Sequence, residues 1–524
     1  MSKELANLLF PDIKETPEDY FKIYPKRKTP ATRIAPSPTG YMHLGTLGMT
    51  VVDKALANAL GGVCLFRVED TDNKREVKDA TKRLIEAFKV FGISFDEGFD
   101  GEKDYGAYAP YIQSRRVPIY KAFAKRLVEE GKAYPCFCSE EKLAEQHENQ
   151  VKSGDKTGYY GKYASCKNLT LDEVKENLAQ GKPWALRANF DLFNPSDRIA
   201  WCDGVRGEMS LPVETNNVVI LKSNRIPPYN LAHVVDDTLM GISHVVRGEE
   251  WLISTAQHLQ LFKLLGLTPP TYLHMPVICV QEGESKRKLS KRKDKEALVE
   301  NLLKEGYPTE AILEYLMTIY NTDFEIWRIK NPTAPRDEFK FKIEKIGSNN
   351  PLLDMPKLDN ISKNIIGAYS NAQTKLAVIN FFGENLPNLD KVLAVCAIDR
   401  ETPKPRKDIV KFSDILTLYD YIFDDFVAPR AEGEGAKILA RYAELYSAAD
   451  DKTAWFEKMK RVAREFGFAD NGKDFKANPE QYKGSIADIS QIIRKKITGK
   501  ENTPDLYEIS RILGEQTVKA RLRA

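Results

Sequence analysis

Two stretches of this chain carry residue types and spacing that phosphate chemistry uses. The first, Thr32–Thr46, reads TRIAPSPTGYMHLGT. It runs from a β-compatible segment, Thr32–Ala35, through a loop of small residues to a helix candidate with apolar periodicity, Met49–Leu60. Strand, small-residue loop and helix start form a phosphate-binding layout. Gly40 and Gly45 let a bulky anion approach the backbone, and the N–H groups at a helix N-terminus favour negative charge. His43 would point a ring N–H at the same anion. By itself, a histidine before a helix is more often a surface or capping residue. The second stretch, Lys286–Lys295, reads KRKLSKRKDK, seven cations with one acid. A solvated loop or a nuclear localisation signal is the ordinary reading of such a run. Its interior points elsewhere: Leu289 and Ser290 sit between Lys288 and Lys291, an apolar anchor and a hydroxyl able to pin a loop whose two lysines face one way.

Positioning these groups takes a scaffold, and the pattern from Thr29 onward supplies one. Thr32–Ala35, Met49–Leu60, Val63–Val68 and Lys78–Phe91 alternate β, α, β, α, which predicts a parallel sheet with right-handed crossovers. Glu69, Asp70 and Asp72 fall just past the second strand, at the carboxyl edge where open α/β sheets bind ligands. Asp70 and Asp72 read as turn and cap residues; Glu69 can accept from the ammonium group of an amino acid. A helix at Arg115–Glu130 precedes a lysine- and glutamate-rich insertion, residues 140–180. The β pattern resumes at Trp184–Phe190, Asp203–Leu211 and Val218–Leu221. Helix Leu231–Asp237, strand His244–Arg247, helix Ser254–Leu265 and a last strand, Tyr272–Val280, lead to the basic loop. That order puts both loops at one edge of one sheet, within reach of a single nucleotide.

Beyond Leu298 helices dominate, Glu300–Lys304 and Thr309–Tyr320 first, with brief β patches such as FKFKIEK and a proline-interrupted linking segment at Phe324–Phe339. Only helices are expected over residues 380–480. Residues 1–28 lack a core pattern and read as an extension packed on the first domain.

A chain of 524 residues should divide into three or more domains. Its 42% hydrophobic and 29% charged content is that of a globular protein, and a net charge of +3 excludes a histone-type polycation, so any nucleic acid must meet local basic faces. Seven cysteines, an odd number, argue against a disulfide framework and for a reducing compartment. With no apolar leader and no run of 18 apolar residues, the expectation is a cytoplasmic protein that does not enter a membrane. Cys136-x-Cys138 is a two-ligand start for zinc, and Cys166 a third thiolate. Structural zinc takes four donors in most sites. The fourth would be Tyr160, Tyr163 or His147; three reduced, partly buried cysteines are the alternative.

HLGT (His43–Thr46) and KLSKR (Lys288–Arg292) together resemble the paired signatures of class I aminoacyl-tRNA synthetases, usually called HIGH and KMSKS. More narrowly, APSPTGYMHLG, then LFRVEDTD (Leu65–Asp72), then YNLAHVVDDTLMGISHVVRGEEW (Tyr229–Trp251), resemble the bacterial-type glutamyl-tRNA synthetases across the catalytic region. Two departures stand: Thr46 replaces the second histidine, as is common in this family, and His233 occupies a place where related enzymes often carry Asn or Val. The SPTG form at Ser37–Gly40 separates the chain from glutaminyl-tRNA synthetases, which usually read PEPNG.

The resemblance implies an α/β, Rossmann-like parallel-sheet catalytic domain (29–110 and 185–298) after the extension 1–28. An inserted α/β acceptor-stem domain (111–184), a stem-contact region (299–375) and a helical anticodon-binding region (376–524) complete it. It implies an ATP-dependent ligase that makes glutamyl-adenylate and passes the glutamyl group to the 2′-OH of tRNA(Glu), acting as a monomer with Mg²⁺ on the phosphates. His43, Lys288 and Lys291 would be catalytic, and His43, Gly45, Glu250, Trp251 and Lys291 would bind ATP. Arg33, Ser37, Glu69, Tyr229 and Arg247 would hold glutamate, the two arginines pairing with its side chain in fork geometry. Cys136, Cys138 and Cys166 would hold zinc in those members that bind it. Rival readings are a glutaminyl-type or non-discriminating enzyme that also charges tRNA(Gln), and a tRNA-binding module without catalysis. A truncated paralogue that glutamylates a tRNA base is a further rival, which the long helical C-terminal region disfavours.

Overall fold

The computed structural model describes residues 2–523 apart from Thr39, residues 72–78 and Lys291. The chain forms two compact units, Met1–Asn301 with Leu313–Asp354, and Leu302–Ile312 with Met355–Ala524.

In the first unit, strands Ala31–Ile34, Val63–Phe66 and Glu97–Phe99 run parallel, and Asp104–Tyr105 closes that edge antiparallel. Every residue of Ala31–Ile34 is buried, so it reads as a continuous run, as central parallel strands do. Beside it lies His244–Gly248, itself parallel to Thr271–Met275; the Ser243 N–H donates to the Ala31 carbonyl at 3.0 Å. Chain order therefore reverses between Ala31–Ile34 and His244–Gly248. Ligands of open α/β sheets bind beyond the carboxyl ends of the strands at such a switch point. The helix Leu44–Ala59 connects the first two strands and buries Leu44, Leu47, Val51, Val52 and Leu56. Gly48 lets it close on Tyr320, since a Cβ there would lie 2.5 Å from the ring. The extension packs helix Ser2–Leu9 on helix Val117–Glu129, and Arg27 donates to both carboxylate oxygens of Glu97 at 3.0 Å.

Several expectations are corrected. Residue 185 does not mark a return to the catalytic sheet: Ala185–Ala188 pairs antiparallel with Ala133–Cys136 and with Val219–Leu221, because a small separate sheet produces the same local β pattern. Asp203–Leu211 is not one strand; Arg198–Asp203 and Gly207–Pro212 form a hairpin, and Asp203 Oδ1 makes its turn by accepting the N–H groups of Val205 and Arg206. Tyr272–Val280 is broken, with Thr271–Met275 in the sheet and Cys279–Glu282 paired to Ser285–Lys288. Lys286, Arg287 and Lys288 are thus a strand arm rather than loop. Phe324–Phe339 contains a helix, Thr322–Lys330, capped by Asn321, since its first proline comes only at Pro332. FKFKIEK holds one 3₁₀ turn, Ile343–Lys345.

In the second unit the named elements from Met355–Ala368 to Glu515–Arg523 are all helices. They surround a core that includes Ile366, Val378, Val392, Tyr442, Met459, Ile493 and Val518. Ile366 and Val378 share this core, so the expected divide between residues 375 and 376 is not a boundary of packing.

Candidate active site

His43 is the N-cap of Leu44–Ala59, its Nδ1 accepting the Gly45 N–H at 3.0 Å. This cap is why the helix begins at Leu44 and not at Met49. With Nδ1 accepting, the neutral ring carries its proton on Nε2. A Cβ on Gly45 would come within 3.1 Å of Nδ1. The Gly45 N–H, expected to face a phosphate, is thus engaged by the imidazole, and the glycine serves the approach of that ring.

His43, Gly45, Thr46, Glu250, Lys288 and Leu289 line a cavity of about 160 Å³. The two signature segments therefore meet, as their placement at one sheet edge requires. Lys288 Nζ pairs with Glu250 at 2.9 Å. Leu289 is buried and donates its N–H to the Ile278 carbonyl, the anchor its position predicts. Asp294, the single acid of the basic run, accepts from both Arg287 nitrogens at 2.7 Å and from the Ser290 N–H at 2.8 Å. The Arg287 hydrogen bonds hold its carboxyl down at about 2. Lys291 lies outside the described residues.

Thr46 and Met49 also line a larger cavity of about 580 Å³, walled by Arg33, Ser37, Glu69, Tyr229, Arg247 and Trp251. The predicted amino-acid residues are thereby brought together. Lys222, which donates to the Thr71 carbonyl at 2.6 Å, joins them; nothing in its local sequence singles it out.

One wall of this cavity is ionic. Arg33 Nε stands 3.3 Å from Asp237. Behind it the fully buried Arg67 donates to Asp237 at 2.8 Å and to Glu69 at 3.0 Å. Arg116 donates to Asp236 Oδ1 at 2.7 Å, and Tyr120 and Gln113 donate to Oδ2 at 2.7 and 2.9 Å. Three guanidiniums thus face three carboxylates. Burial opposes the charge on each of them. At Asp237 it is outweighed by Arg33 and Arg67, which hold the carboxyl at about 2; at Glu69 burial wins and pushes the carboxyl up. Arg67, Arg116, Asp236 and Asp237 were not expected as parts of the site. Their signal is charge inside apolar runs, as in Leu65-Phe66-Arg67-Val68.

The other wall holds Arg247, also buried. Its Nε donates to His274 Nε2 at 3.0 Å, Nη1 to His258 Nδ1 at 3.2 Å and to the Tyr229 hydroxyl at 3.4 Å, and Nη2 to Thr255 Oγ1 at 2.9 Å. The guanidinium stacks 4.3 Å from the Tyr272 ring centre. Among the described residues none of these partners is a carboxylate. His274 Nδ1 donates to Asp203 Oδ2 at 2.5 Å, which leaves Nε2 as an acceptor. His233 stacks on Tyr229 with ring centres 4.5 Å apart, and Tyr229 leans on Trp251 at 4.4 Å. Burial lowers the His233 imidazole to about 3, and those of His258 and His274 below their ordinary value. All three rings are neutral.

Elsewhere in this unit the sulfurs of Cys136, Cys138 and Cys166 lie within 4.8 Å of one another, compared with about 3.8 Å between thiolates on one tetrahedral zinc. The Tyr159 hydroxyl is 3.4 Å from Cys138 Sγ and accepts the Cys166 N–H at 3.0 Å. Ser165 Oγ lies 3.5 Å from the same sulfur, so these two hydroxyls, and not Tyr160, Tyr163 or His147, stand beside the thiols, Tyr159 alone of the two also accepting the Cys166 N–H. Tyr160 donates to the Lys156 carbonyl and Tyr163 to Asp155, while His147 is exposed on the helix Glu140–Ser153. Hydrogen bonds from Cys138 and Cys166 push the Cys136 thiol below its ordinary range.

Comparison with known proteins agrees with this geometry. Residues 30–343 match the family of tRNA synthetases class I (E and Q), catalytic domain, and residues 378–524 match an anticodon binding domain. The chain is 41% identical over 544 residues to a glutamate–tRNA ligase of Acetivibrio thermocellus, covering 99% of each. It is 40% identical to one of Clostridium perfringens, covering 99% of this chain and 100% of that one. The solved structure of a glutamate tRNA ligase from Elizabethkingia meningosepticum in complex with its amino acid shares the fold, with a TM-score of 0.78 at 23% identity over 94% of this chain and 98% of that one. No helix among the described residues is long and apolar enough to cross a membrane. Since the matches run along the whole chain and meet a switch-point cavity bordered by both signature segments, the chain belongs to the class I tRNA synthetases of the E and Q type.

Proposed function

We propose that this protein is an ATP-dependent glutamate–tRNA ligase, which activates L-glutamate as glutamyl-adenylate and transfers it to the 3′ end of tRNA(Glu). The observation that carries this reading is Arg247, a buried guanidinium on a cavity wall with neutral partners. A desolvated cation is favourable only when an anion answers it, and fork geometry suits a carboxylate. Arg247, Arg33 and the Tyr229 hydroxyl take the side-chain carboxylate. Glu69, fixed by Arg67, accepts from the α-ammonium, and Ser37 bonds the amino-acid backbone.

In the first step an α-carboxylate oxygen attacks the α-phosphorus of ATP, and the bond to pyrophosphate breaks as the new P–O bond forms. Charge grows on phosphate oxygens, so catalysis consists of positioning and pre-placed positive groups. His43 Nε2–H, Lys288 and Lys291 supply these, with Glu250 and Trp251 against the nucleotide. Mg²⁺ bound to the phosphates of ATP would share their charge. In the second step the 2′-OH of the terminal adenosine attacks the activated carbonyl carbon and AMP leaves. Cys136, Cys138, Cys166 and Tyr159 fit one structural zinc, which would tie the two ends of residues 136–166 together. The seven free cysteines favour a reducing compartment, and we read the protein as a cytoplasmic monomer.

Pyrophosphate exchange with tRNA(Glu) present tests the assignment. Glutamate should support exchange at least about 100-fold better than glutamine, the kind of ratio a site built around one charged contact reaches. Charging assays should favour tRNA(Glu) over tRNA(Gln), and metal analysis of the same preparation should find one zinc per chain. Exchange with glutamine alone, or with neither amino acid, overturns the reading.

A further inference from the structure

We infer that His258 and His274, the latter held by Asp203, are specificity-determining positioning residues: they carry Arg247 on neutral acceptors, so that its charge is answered only by the acidic side chain of the amino-acid substrate. The inference rests on the reading of the larger cavity as the glutamate site.

A buried arginine ordinarily sits on a carboxylate, and the opposite wall of the same cavity does so three times over. Around Arg247 the donors are satisfied as completely, yet every acceptor is uncharged. The nearest acid in this chain of contacts, Asp203, is one imidazole away. Its Oδ1 is tied to the turn N–H groups of Val205 and Arg206 at 3.0 and 3.1 Å, and its Oδ2 to His274 Nδ1 at 2.5 Å. That carboxylate cannot swing onto the guanidinium. It fixes the tautomer of His274 instead, presenting the Nε2 lone pair to Arg247. His258 repeats the arrangement: Nε2 donates to Asn230 Oδ1 at 3.1 Å, and Nδ1 accepts from Arg247. A carboxylate in either place would give Arg247 the same hydrogen bonds and cancel its charge. Bound glutamate carries one net negative charge and glutamine none, so the neutral acceptors decide which of the two the wall prefers.

Two substitutions separate charge from geometry in tRNA-supported pyrophosphate exchange. His258→Glu sets a carboxylate against Nη1. We expect KM for glutamate to rise at least about 100-fold, as when a buried charge pair loses its partner. KM for ATP should stay within about threefold, and the glutamate-over-glutamine preference should fall with the first number. His274→Leu removes one acceptor and should raise KM for glutamate about 10-fold, the scale of one hydrogen bond to a charged group. His274→Gln, whose amide oxygen can accept from Nε, should recover most of that loss. Unchanged KM for glutamate in variants with native circular dichroism overturns the inference. So does a parallel change in both KM values and kcat, which marks a merely structural role. Should His258→Glu not fold, the His274 pair decides by the same criteria. Failure of the unsubstituted protein to exchange with glutamate would bring down the reading of the site itself, before any variant is compared.

Discussion

Two walls of one cavity face the same physical problem, a guanidinium withdrawn from water, and answer it in opposite ways. On one side Arg33, Arg67 and Arg116 are met by Glu69, Asp236 and Asp237 at 2.7 to 3.8 Å. Their charges are balanced within the fold, and Arg33 and Glu69, which reach the cavity, meet a ligand already paired. On the other side Arg247 is met by two imidazoles, two hydroxyls and a tyrosine ring. Its geometry is settled and its charge is not. The first wall is a scaffold whose energy belongs to folding; the second stores an electrostatic demand whose energy belongs to binding. Stability and selectivity should therefore respond to different residues, although Arg33 and Glu69 of the one wall and Tyr229 and Arg247 of the other line the same 580 Å³ space.

The sharpest way to break that division is to remove the central cation of each wall. Arg67→Leu leaves three buried carboxylates facing two guanidiniums, and should cost about 3–5 kcal/mol of stability, the usual penalty for an orphaned buried charge. Chemical denaturation followed by circular dichroism measures it. Arg247→Leu removes a cation that no acid balances, so stability should change by no more than about 1 kcal/mol, hydrophobic replacement of a buried charge being often neutral. Its cost appears in function instead: kcat/KM for glutamate should fall by about 2–4 kcal/mol of lost transition-state binding, with KM for ATP nearly unchanged. If Arg247→Leu destabilises the fold as much as Arg67→Leu does, the two walls are not different in kind.

How each wall could be read from sequence follows from the same difference. Arg33, Glu69, Tyr229 and Arg247 stand at strand ends or helix starts within long motifs, and it is the resemblance of those motifs, not local pattern, that assigns them to one pocket. The alternation of strands and helices sufficed for the parallel sheet. Arg67, Asp236 and Asp237 sit in runs that look like ordinary core, and their meaning comes from pairing across 170 residues or so, which no local period encodes. His258 and His274 are harder still. A histidine on a buried helix face or strand reads as packing, and only the position of Arg247 between them gives each ring a task. The zinc candidate shows the same limit: Cys136, Cys138 and Cys166 are visible as thiols, but spacing suggests Tyr160, Tyr163 or His147 beside them, and the tertiary fold brings Tyr159 instead. Domain edges were misjudged where a small antiparallel sheet, Ala133–Cys136 with Ala185–Ala188, imitates a returning parallel strand.

The finest test of the contrast is how each wall responds to acid. Asp237, held at about 2 by Arg33 and Arg67 against burial, lies below the ordinary value near 3.8. Its contribution is complete above that ordinary value and is lost only as pH falls from there toward 2. The imidazole wall loses stability in the same direction but over a higher range of pH. In the unfolded chain a histidine takes its proton as pH falls through about 6.5, whereas burial keeps folded His233 neutral down to about 3. Between those values the unfolded state binds the extra proton, so stability declines with falling pH by up to about 1.4 kcal/mol per pH unit for each such ring. From pH 6.5 to 4.5 the imidazole wall should therefore make stability depend on pH, through protons taken up by the unfolded chain, while Asp237 stays silent. His233→Asn should flatten the slope of unfolding free energy against pH by about one proton's worth over this interval, as read from denaturation at three pH values. A slope that does not change would mean that His233 accepts its proton within the fold. A second cation would then stand beside Tyr229 near Arg247, and the wall would no longer be one of neutral partners around a single charge.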